Sequence, residues 1–198
     1  MIKALIFDNN GVLTKTEGDG INKMAELFGV SHDEYNEVWK EYAKPLDDGG
    51  LTSEEFLMKV INYFGKEVEI DSLREIYYDC YDRDDEMHET VKNLRDKFEV
   101  ALLSNFGDSF DKFEEKWRTH ETIKPENMFV SVKLGMRKPH RDIYEHALSK
   151  LGLEPHEAVF IDDRLENIEA AKDLGMHGIH FSNRDQFLVE LQGLTAND

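Results

Sequence analysis

The sequence predicts an α/β protein in which a three-layer, Rossmann-like parallel sheet carries a small all-helical domain inserted into it. Two observations lead to this prediction. Short apolar runs flanked by turn residues or charges recur along the chain, as is typical of buried parallel strands, and helical patterns separate the later runs. Between residues 17 and 86 this alternation stops, and helical patterns replace it.

Five apolar runs are the predicted strands of the sheet. They are Ile2–Phe7, Val100–Leu103, Met128–Val132, Ala158–Ile161 and Gly178–Phe181. Helical patterns separate the last four of these runs, at Phe110–Thr119, Arg141–Leu151 and Leu165–Leu174. Strands and helices that alternate in this way indicate a sheet with helices on both faces.

A helical insertion follows the first strand. One pattern of apolar residues at helical spacing ends at Gly29, and another follows a capping-box motif at Thr52–Glu55. A third pattern includes Leu73, Ile76, Tyr77 and Cys80. We find no convincing strand in this stretch and therefore assign residues 17–86 to a cap domain. Residues 1–16 and 87–198 then form the core domain, and the predicted linkers are Thr14–Asp19 and Arg83–Glu86.

The composition narrows the choice of partners. The chain has 198 residues, of which 33% are charged, and its formal net charge is −18, which argues against binding to nucleic acid or an anionic membrane. A lone Cys80 excludes an internal disulfide and fits a reducing compartment. The first apolar run is too short for a signal peptide, and no segment has transmembrane length, so we expect a cytoplasmic protein. The oligomeric state stays open.

Polar side chains follow four segments of the predicted sheet. Asp8 ends the first strand, Ser104 and Asn105 follow the second, and Asp162-Asp163 follow the fourth. Lys138 lies in the basic stretch that enters the helix at Arg141. Because the carboxyl ends of parallel strands meet at one edge of a sheet, we expect these groups to converge.

The converging residue types suit phosphoryl transfer. Asp8, Asp162 and Asp163 are hard oxygen ligands appropriate for Mg2+, and without a cation three clustered carboxylates would repel one another. A lysine and a hydroxyl would hold the remaining phosphoryl oxygens, and a carboxylate is an established nucleophile in such reactions. The metal and Lys138 would also reverse the local potential, which otherwise repels an anionic substrate.

With these motifs the sequence resembles the haloacid dehalogenase-like phosphohydrolase superfamily. The first motif, Asp-x-Asp-Gly, matches Asp8–Gly11 except at Asn10. The other matches are Leu103–Asn105, Lys138–Pro139 and Ile161–Asp163, with Asn167 downstream. An insertion directly after the first motif is similar to the small helical cap of that superfamily. The stretch Leu134–Pro139 resembles the branch that contains sugar-phosphate phosphatases and the phosphatase domain of epoxide hydrolases.

The resemblance implies a role for each matched residue. Asp8 would attack phosphorus and bind Mg2+, and the backbone carbonyl of Asn10 would be a second metal ligand. Asp163 would bind the metal directly and Asp162 directly or through water, while Asn167 would orient their loop. Residues expected to hold the phosphoryl group or substrate are Asn9, Ser104, Asn105 and Lys138, with Lys138 also counted as catalytic.

Asn10 stands where a phosphatase of this type has the aspartate that protonates the leaving group and later activates water. An amide cannot carry that proton, and the loss is expected to cost roughly 100- to 10,000-fold in rate. The sequence leaves open whether Asn10 is natural or an engineered change. The leading hypothesis is a Mg2+-dependent phosphatase of a small phosphorylated metabolite, such as a sugar phosphate, weakened by Asn10.

Three alternatives remain at this point. A non-catalytic binding or regulatory protein would keep the pocket without turnover. A haloacid dehalogenase uses the same nucleophile without the second carboxylate, but the Asp162-Asp163 pair argues against it. A phosphomutase would also need the missing acid. The physiological substrate and the cap residues that select it are not determined by the sequence.

Overall fold

A parallel sheet forms the centre of the protein. The computed structural model describes residues 1–15, 20–47 and 49–196. Within these ranges the strands are β1 Ala4–Phe7, β2 Thr14–Lys15, β3 Asp82–Arg83, β4 Glu99–Ser104, β5 Met128–Val130, β6 Ala158–Asp162 and β7 His177–His180. Five of them form one sheet in the order β5-β4-β1-β6-β7, and every neighbouring pair is parallel.

The helices cover both faces of this sheet and form the insertion. They are α1 Gly20–Phe28, α2 His32–Asp47, α3 Ser53–Phe64, α4 Ile70–Asp79, α5 Asp85–Leu94, α6 Phe110–Trp117, α7 Ser131–Leu134, α8 Arg141–Leu151, α9 Leu165–Asp173 and α10 Arg184–Thr195. Among the residues described, no helix combines the length and apolarity that crossing a bilayer requires.

Side chains alternate across the central strand and divide the core into two layers. Ile6 faces α8 and α9, where it belongs to a cluster with Tyr144 and Ile168. Leu5 and Phe7 face the opposite side, which is covered by helices that include α5 and α10. Successive residues of a strand point to opposite faces, so a wholly apolar β1 buries both sides. The predicted three-layer α/β fold is therefore confirmed.

The inserted helices α1 to α4 form a cap whose interior is aromatic. Phe28, Tyr35 and Phe64 pack ring against ring, with centroid distances of 5.0 to 6.1 Å. A second group joins Trp39, Phe56 and Tyr77, and Tyr77 also contacts Phe113 of the core helix α6 at 5.5 Å. The aromatic residues of the insertion therefore build the cap and attach it to the core.

The junction between cap and core differs from the sequence-based expectation. β2 and β3 pair antiparallel, with Thr14 opposite Arg83, although we predicted linkers here and no strand in the insertion. Asp84 then accepts a hydrogen bond from the Met87 amide and caps α5. The acidic run Asp82–Glu86 therefore contains a short strand and the start of a helix. The sequence pattern did not indicate either element, because the strand has two residues and the run is highly charged. Residues 16–19 of the first predicted linker lie outside the described ranges, and the exact domain boundaries stay a prediction.

Among the described residues, four helices were not predicted, namely α2, α5, α7 and α10. α2 is rich in charged residues and contains Pro45, which in a sequence indicates a break. α5 begins in the acidic run that we interpreted as a linker. α10 follows the last strand and buries Phe187 and Leu191 on one side. The predicted strand at Met128–Val132 is shorter than expected, because Ser131 begins α7.

Candidate active site

The loop after β1 presents Asp8 at the carboxyl edge of the sheet. β1 lies between β4 and β6, with Phe7 opposite both Leu102 and Ile161, so Asp8 is central. The carbonyl of Asn9 accepts the backbone amides of the three residues Val12, Leu13 and Thr14, which folds the loop back on itself. This tight turn is a local consequence of the Asp-Asn-Asn-Gly sequence.

Gly11 allows a second acidic loop to approach. Its φ is +83°, and a Cβ placed there would lie 2.6 Å from Oδ2 of Asp163. Glycine therefore satisfies both the left-handed backbone and the close contact with the loop after β6.

Lys138 joins the two acidic segments. Its Nζ donates to Oδ1 of Asp8 at 2.6 Å and to Oδ2 of Asp162 at 2.7 Å. Nδ2 of Asn167 donates to both carboxylate oxygens of Asp162, each at 3.0 Å. The backbone amide of Arg164 donates to Oδ1 of Asp162 at 2.8 Å. Protein donors thus contact both oxygens of Asp162, which makes it the residue that positions Lys138.

The electrostatics of the cluster reflect burial and crowding of like charges. Burial raises the pKa of Asp8 to about 7. The positive charge of Lys138 opposes this rise, and the negative charge of Asp162 adds to it. Burial and Asp162 also raise the pKa of Asp163. Burial by itself lowers the pKa of Lys138, but Asp8 and Asp162 outweigh it, and the net direction is upward. One ammonium therefore does not fully neutralise three carboxylates.

This arrangement fits a divalent cation. Asp8, Asp162 and Asp163 each present an oxygen within 4.8 Å of the others, and Asp163 is the exposed member. Carboxylate oxygens at a site open to water are the ligands that Mg2+ takes. A cation here would favour the ionised form of Asp8 and Asp163, whose pKa values are raised in its absence.

Ser104 at the end of β4 and Asn105 after it have different environments. Oγ of Ser104 is buried and has no hydrogen-bond partner within the described part of the chain. Asn105 exchanges two hydrogen bonds with the backbone of Lys138, at 2.8 and 2.9 Å. Its side chain therefore holds the loop that carries Lys138, while its predicted contact with phosphate stays a prediction.

Asn9 and Asn10 follow Asp8 in the loop after β1. Oδ1 of Asn10 lies 3.3 Å from the hydroxyl of Thr14 and 3.2 Å from Nδ2 of Asn9. Asn10 lines the cavity above Asp8, whereas Asn9 is fully buried beneath the loop and is not part of that cavity wall. The structure thus places Asn10 and Asp8 in the wall of the same cavity.

The cap supplies a wall that the sequence did not reveal. A cavity of about 220 Å³ lies over Asp8, and its cap side is formed by Trp39, Ala43 and Asp47 of α2 together with Tyr81. Arg164 completes the core side, next to the acidic pair. The first three residues are four apart, so they share one face of a helix. This spacing is visible in the sequence. It indicates a shared helix face only if the segment is known to be a helix, and α2 was not predicted.

Comparison with known proteins gives a consistent assignment. The model of haloacid dehalogenase-like hydrolases matches residues 2–175. A chloroplast flavin mononucleotide hydrolase of Arabidopsis thaliana is 31% identical over 161 residues, which cover 81% of this chain and 63% of that protein. A D-ribitol-5-phosphate phosphatase of Bacteroides thetaiotaomicron is 24% identical over 208 residues, covering 96% of this chain and 97% of the relative. This chain therefore spans less than two thirds of the Arabidopsis protein.

Solved structures share the fold. A HAD family enzyme of Bacteroides thetaiotaomicron, in complex with magnesium and inorganic phosphate, superposes with a TM-score of 0.78 at 22% identity, over 92% of this chain and 95% of that one. A HAD-like hydrolase of Porphyromonas gingivalis gives a TM-score of 0.78 at 24% identity, over 98% of each chain. With the family match extending from the first strand through α9, this chain belongs to the haloacid dehalogenase-like hydrolase family.

Proposed function

We propose that this protein is a Mg2+-dependent phosphatase of a small phosphorylated metabolite, with sugar phosphates as the favoured class. The observation that carries the proposal is the junction of Asp8, Lys138 and Asp162 at the carboxyl edge of the sheet, with distances of 2.6 and 2.7 Å. The relatives named for hydrolysis of a flavin nucleotide and a ribitol phosphate support the same reaction class. The cytoplasmic location expected from the sequence belongs to this proposal.

The residues of the chain divide the work of the reaction. A carboxylate oxygen of Asp8 attacks phosphorus, the bond from phosphorus to the ester oxygen breaks, and the leaving alkoxide takes a proton from solvent, because Asn10 cannot donate one. Water then attacks phosphorus and gives up a proton to solvent, the bond between phosphorus and the Asp8 oxygen breaks, and inorganic phosphate leaves Asp8 as a free carboxylate. Lys138 holds phosphoryl oxygens during both displacements, and Ser104 offers its unpartnered hydroxyl.

A metal ion held by Asp8, Asp163 and the carbonyl of Asn10 would neutralise charge on the phosphoryl oxygens. Asp162 and Asn167 fix the geometry of this group, because Asn167 donates to both oxygens of Asp162 at 3.0 Å. These two residues position Lys138 and the acidic loop.

A non-catalytic binding protein is the second candidate, and Asn10 is the observation that favours it. Its side chain borders the cavity but cannot give a proton to the leaving group or take one from water. Such a protein would bind phosphorylated ligands with Mg2+ and would not release phosphate.

The substitution Asn10→Asp separates the two candidates. It restores an acid and base beside Asp8, so we expect phosphate release to rise by roughly 100- to 10,000-fold in the presence of Mg2+. The measurement is steady-state phosphate release from a panel of phosphorylated metabolites, with and without a chelator.

The control is Asp8→Asn in both backgrounds, which should abolish release and prevent the phosphoryl adduct detectable by intact mass. Mg2+-dependent thermal stabilisation by phosphorylated ligands, with no hydrolysis even in Asn10→Asp, would establish the binding protein instead.

A further inference from the structure

The end of β7 lies beside the acidic loop that carries Asp163. β7 pairs in parallel with β6, and the register places His180 opposite Asp162. One residue further along the chain, the amide of Phe181 donates to the carbonyl oxygen of Asp162 at 2.9 Å. The last residue of β7 and the turn after it therefore lie against the loop that follows β6.

The side chain of His180 contacts the backbone of Asp163. Nε2 of the imidazole lies 2.9 Å from the carbonyl oxygen of Asp163. A carbonyl oxygen only accepts hydrogen bonds, so Nε2 carries the hydrogen and is the donor. Among the described residues no backbone amide donates to this carbonyl, and His180 is its hydrogen-bond partner. The peptide group that follows Asp163 therefore depends on this side chain for its position.

The two members of the acidic pair are held in different ways. Both oxygens of the Asp162 carboxylate accept hydrogen bonds from protein donors, among them Nδ2 of Asn167 at 3.0 Å. Within the described ranges, the carboxylate of Asp163 receives no hydrogen bond from a neighbouring side chain. The guanidinium of Arg164 pairs instead with Glu166 at 2.5 Å. The direction of the Asp163 carboxylate therefore depends on the position of its own backbone.

α10 fixes the backbone of His180. Nε2 of Gln186 donates to the carbonyl oxygen of His180 at 3.1 Å, and Oε1 of Gln186 accepts the amide of Ser182 at 3.1 Å. Asn183 caps the helix by accepting the amide of Gln186 at 2.9 Å. The imidazole thus reaches Asp163 from a strand end that β6 and α10 both hold in place.

We propose, on the basis of the proposed function, that His180 is a positioning residue for the metal ligand Asp163. The hydrogen bond from Nε2 fixes the Asp163 peptide, and this keeps a carboxylate oxygen of Asp163 within 4.8 Å of oxygens of Asp8 and Asp162. His180 does not line the cavity over Asp8, so it acts on the metal site through Asp163 and does not contact the substrate. Partners of this kind typically contribute roughly 10- to 100-fold to metal affinity.

The substitutions His180→Phe and His180→Gln test this assignment. Phenylalanine keeps a planar ring but has no donor, whereas the side-chain amide of glutamine can donate to the same carbonyl. We expect His180→Phe to weaken Mg2+ binding by roughly 10- to 100-fold and His180→Gln to retain most of the affinity. The measurement is calorimetric titration of the full-length protein with Mg2+ alone, together with the Mg2+ dependence of Tm.

The kinetic test introduces the same changes into the Asn10→Asp chain, with p-nitrophenyl phosphate as the ester. The Mg2+ concentration that gives half the maximal rate should rise in His180→Phe by the same factor as the dissociation constant for Mg2+. The rate at saturating Mg2+ should stay close to that of the parent chain. A general loss of folded protein would instead lower the rate at every Mg2+ concentration.

His177→Phe is the matched control. It makes the same chemical change at the other end of β7, where the register places His177 opposite Val159 and away from the acidic pair. It should leave Mg2+ binding unchanged. If phenylalanine at position 180 disturbs folding, His180→Ala also removes the donor at this exposed position and should give the same loss of Mg2+ affinity.

The outcomes separate this inference from the proposed function. Unchanged Mg2+ affinity in His180→Phe, or an equal loss in His180→Gln or His177→Phe, overturns the inference and leaves the phosphatase standing. Absence of phosphate release from every ester by the Asn10→Asp chain overturns the phosphatase, and the calorimetric comparison still decides the role of His180. Absence of Mg2+ binding to the wild type overturns both.

Discussion

The chemistry of this protein depends on a few side chains whose environments differ within a small volume. Asp8 and Asp162 both contact Nζ of Lys138, yet Asp8 borders the cavity and Asp162 is enclosed by protein donors. Asp163 is the exposed carboxylate of the three. Three carboxylates of one residue type therefore have three different environments, which burial and hydrogen bonding determine.

Gly11 combines a left-handed backbone with a close approach to Asp163 of the acidic cluster. In Gly11→Ala the Cβ would collide with Oδ2 of Asp163 at 2.6 Å, and the backbone would also be strained at φ +83°. We expect a loss of about 1–3 kcal/mol in unfolding free energy, together with weaker Mg2+ binding. Urea unfolding and calorimetric Mg2+ titration measure the two effects.

Gly152→Ala provides the control for Gly11→Ala. Gly152 has φ +68° at the end of α8, and no heavy atom of the described residues lies within 4 Å of its Cβ position. We expect Gly152→Ala to lose unfolding free energy through the same backbone strain as Gly11→Ala, and to retain Mg2+ binding. Equal loss of Mg2+ affinity in both variants would contradict the proposed contact between the Gly11 position and Asp163.

At the scale of elements, strand ends and helix faces convert these residues into a site. The parallel register places the ends of β1, β4 and β6 side by side, which brings Asp8 together with residues more than 100 positions away. α2 presents one face to the cap interior through Tyr35 and Val38, and another to the cavity. α2 therefore has one buried face in the cap, one partly buried face at the cavity, and charged residues on the remainder.

α5 contains a buried group that makes stability depend on pH. His88 is fully buried, with Nδ1 2.8 Å from the hydroxyl of Thr122, and burial lowers its pKa from 6.5 to about 4, with Arg83 contributing. Above pH 6.5 the imidazole is neutral in both the folded and unfolded states. Between pH 6.5 and 4 the unfolded chain binds a proton that the folded chain does not. The free energy of unfolding therefore decreases as the pH is lowered through this range.

We expect this histidine to cost about 2 kcal/mol of unfolding free energy between pH 7 and pH 5. The measurement compares urea unfolding of the wild type and His88→Gln across that range, because glutamine keeps a polar contact with Thr122 but does not titrate. Taking the difference between the two proteins cancels the contribution of the many carboxylates. Parallel loss of stability in both proteins would exclude His88 as the cause.

The whole molecule is held together by an apolar core that extends from cap to sheet. One cluster of buried residues includes Phe28 and Phe56 of the cap together with Phe7 and Trp117 of the core. Ring contacts connect Trp39 to Tyr77 at 6.4 Å, Tyr77 to Phe113 at 5.5 Å, and Phe113 to Trp117 at 4.9 Å. Because the cap buries its aromatic surface against the core, we expect both to unfold together.

The two tryptophans of the chain allow a direct test of this expectation. Trp117→Phe leaves the cap probe Trp39, and Trp39→Phe leaves the core probe Trp117. Fluorescence-detected urea unfolding should give, for each variant, a midpoint that coincides with its own far-ultraviolet circular dichroism. A cap signal that changes at lower urea than the dichroism would show that the cap unfolds independently.

The sequence predicted the sheet and the acidic residues well because those signals are local. A strand such as β1 is a short apolar run, and the end of a parallel strand fixes where the following residue points. The same local reasoning failed for α2, because its charged residues and Pro45 obscure the apolar spacing. It failed for Asp82–Glu86 because two residues of strand and a helix cap resemble an exposed linker.

The sequence by itself determined the fold class, the helical insertion and the candidate residues Asp8, Lys138, Asp162 and Asp163. Only the tertiary structure decided that Lys138 lies between Asp8 and Asp162, that Asn167 holds Asp162, and that α2 closes the site. Residue type and periodicity are properties of neighbours in the chain. Contacts across 130 residues, and the helix face that meets a cavity, depend on how distant elements pack.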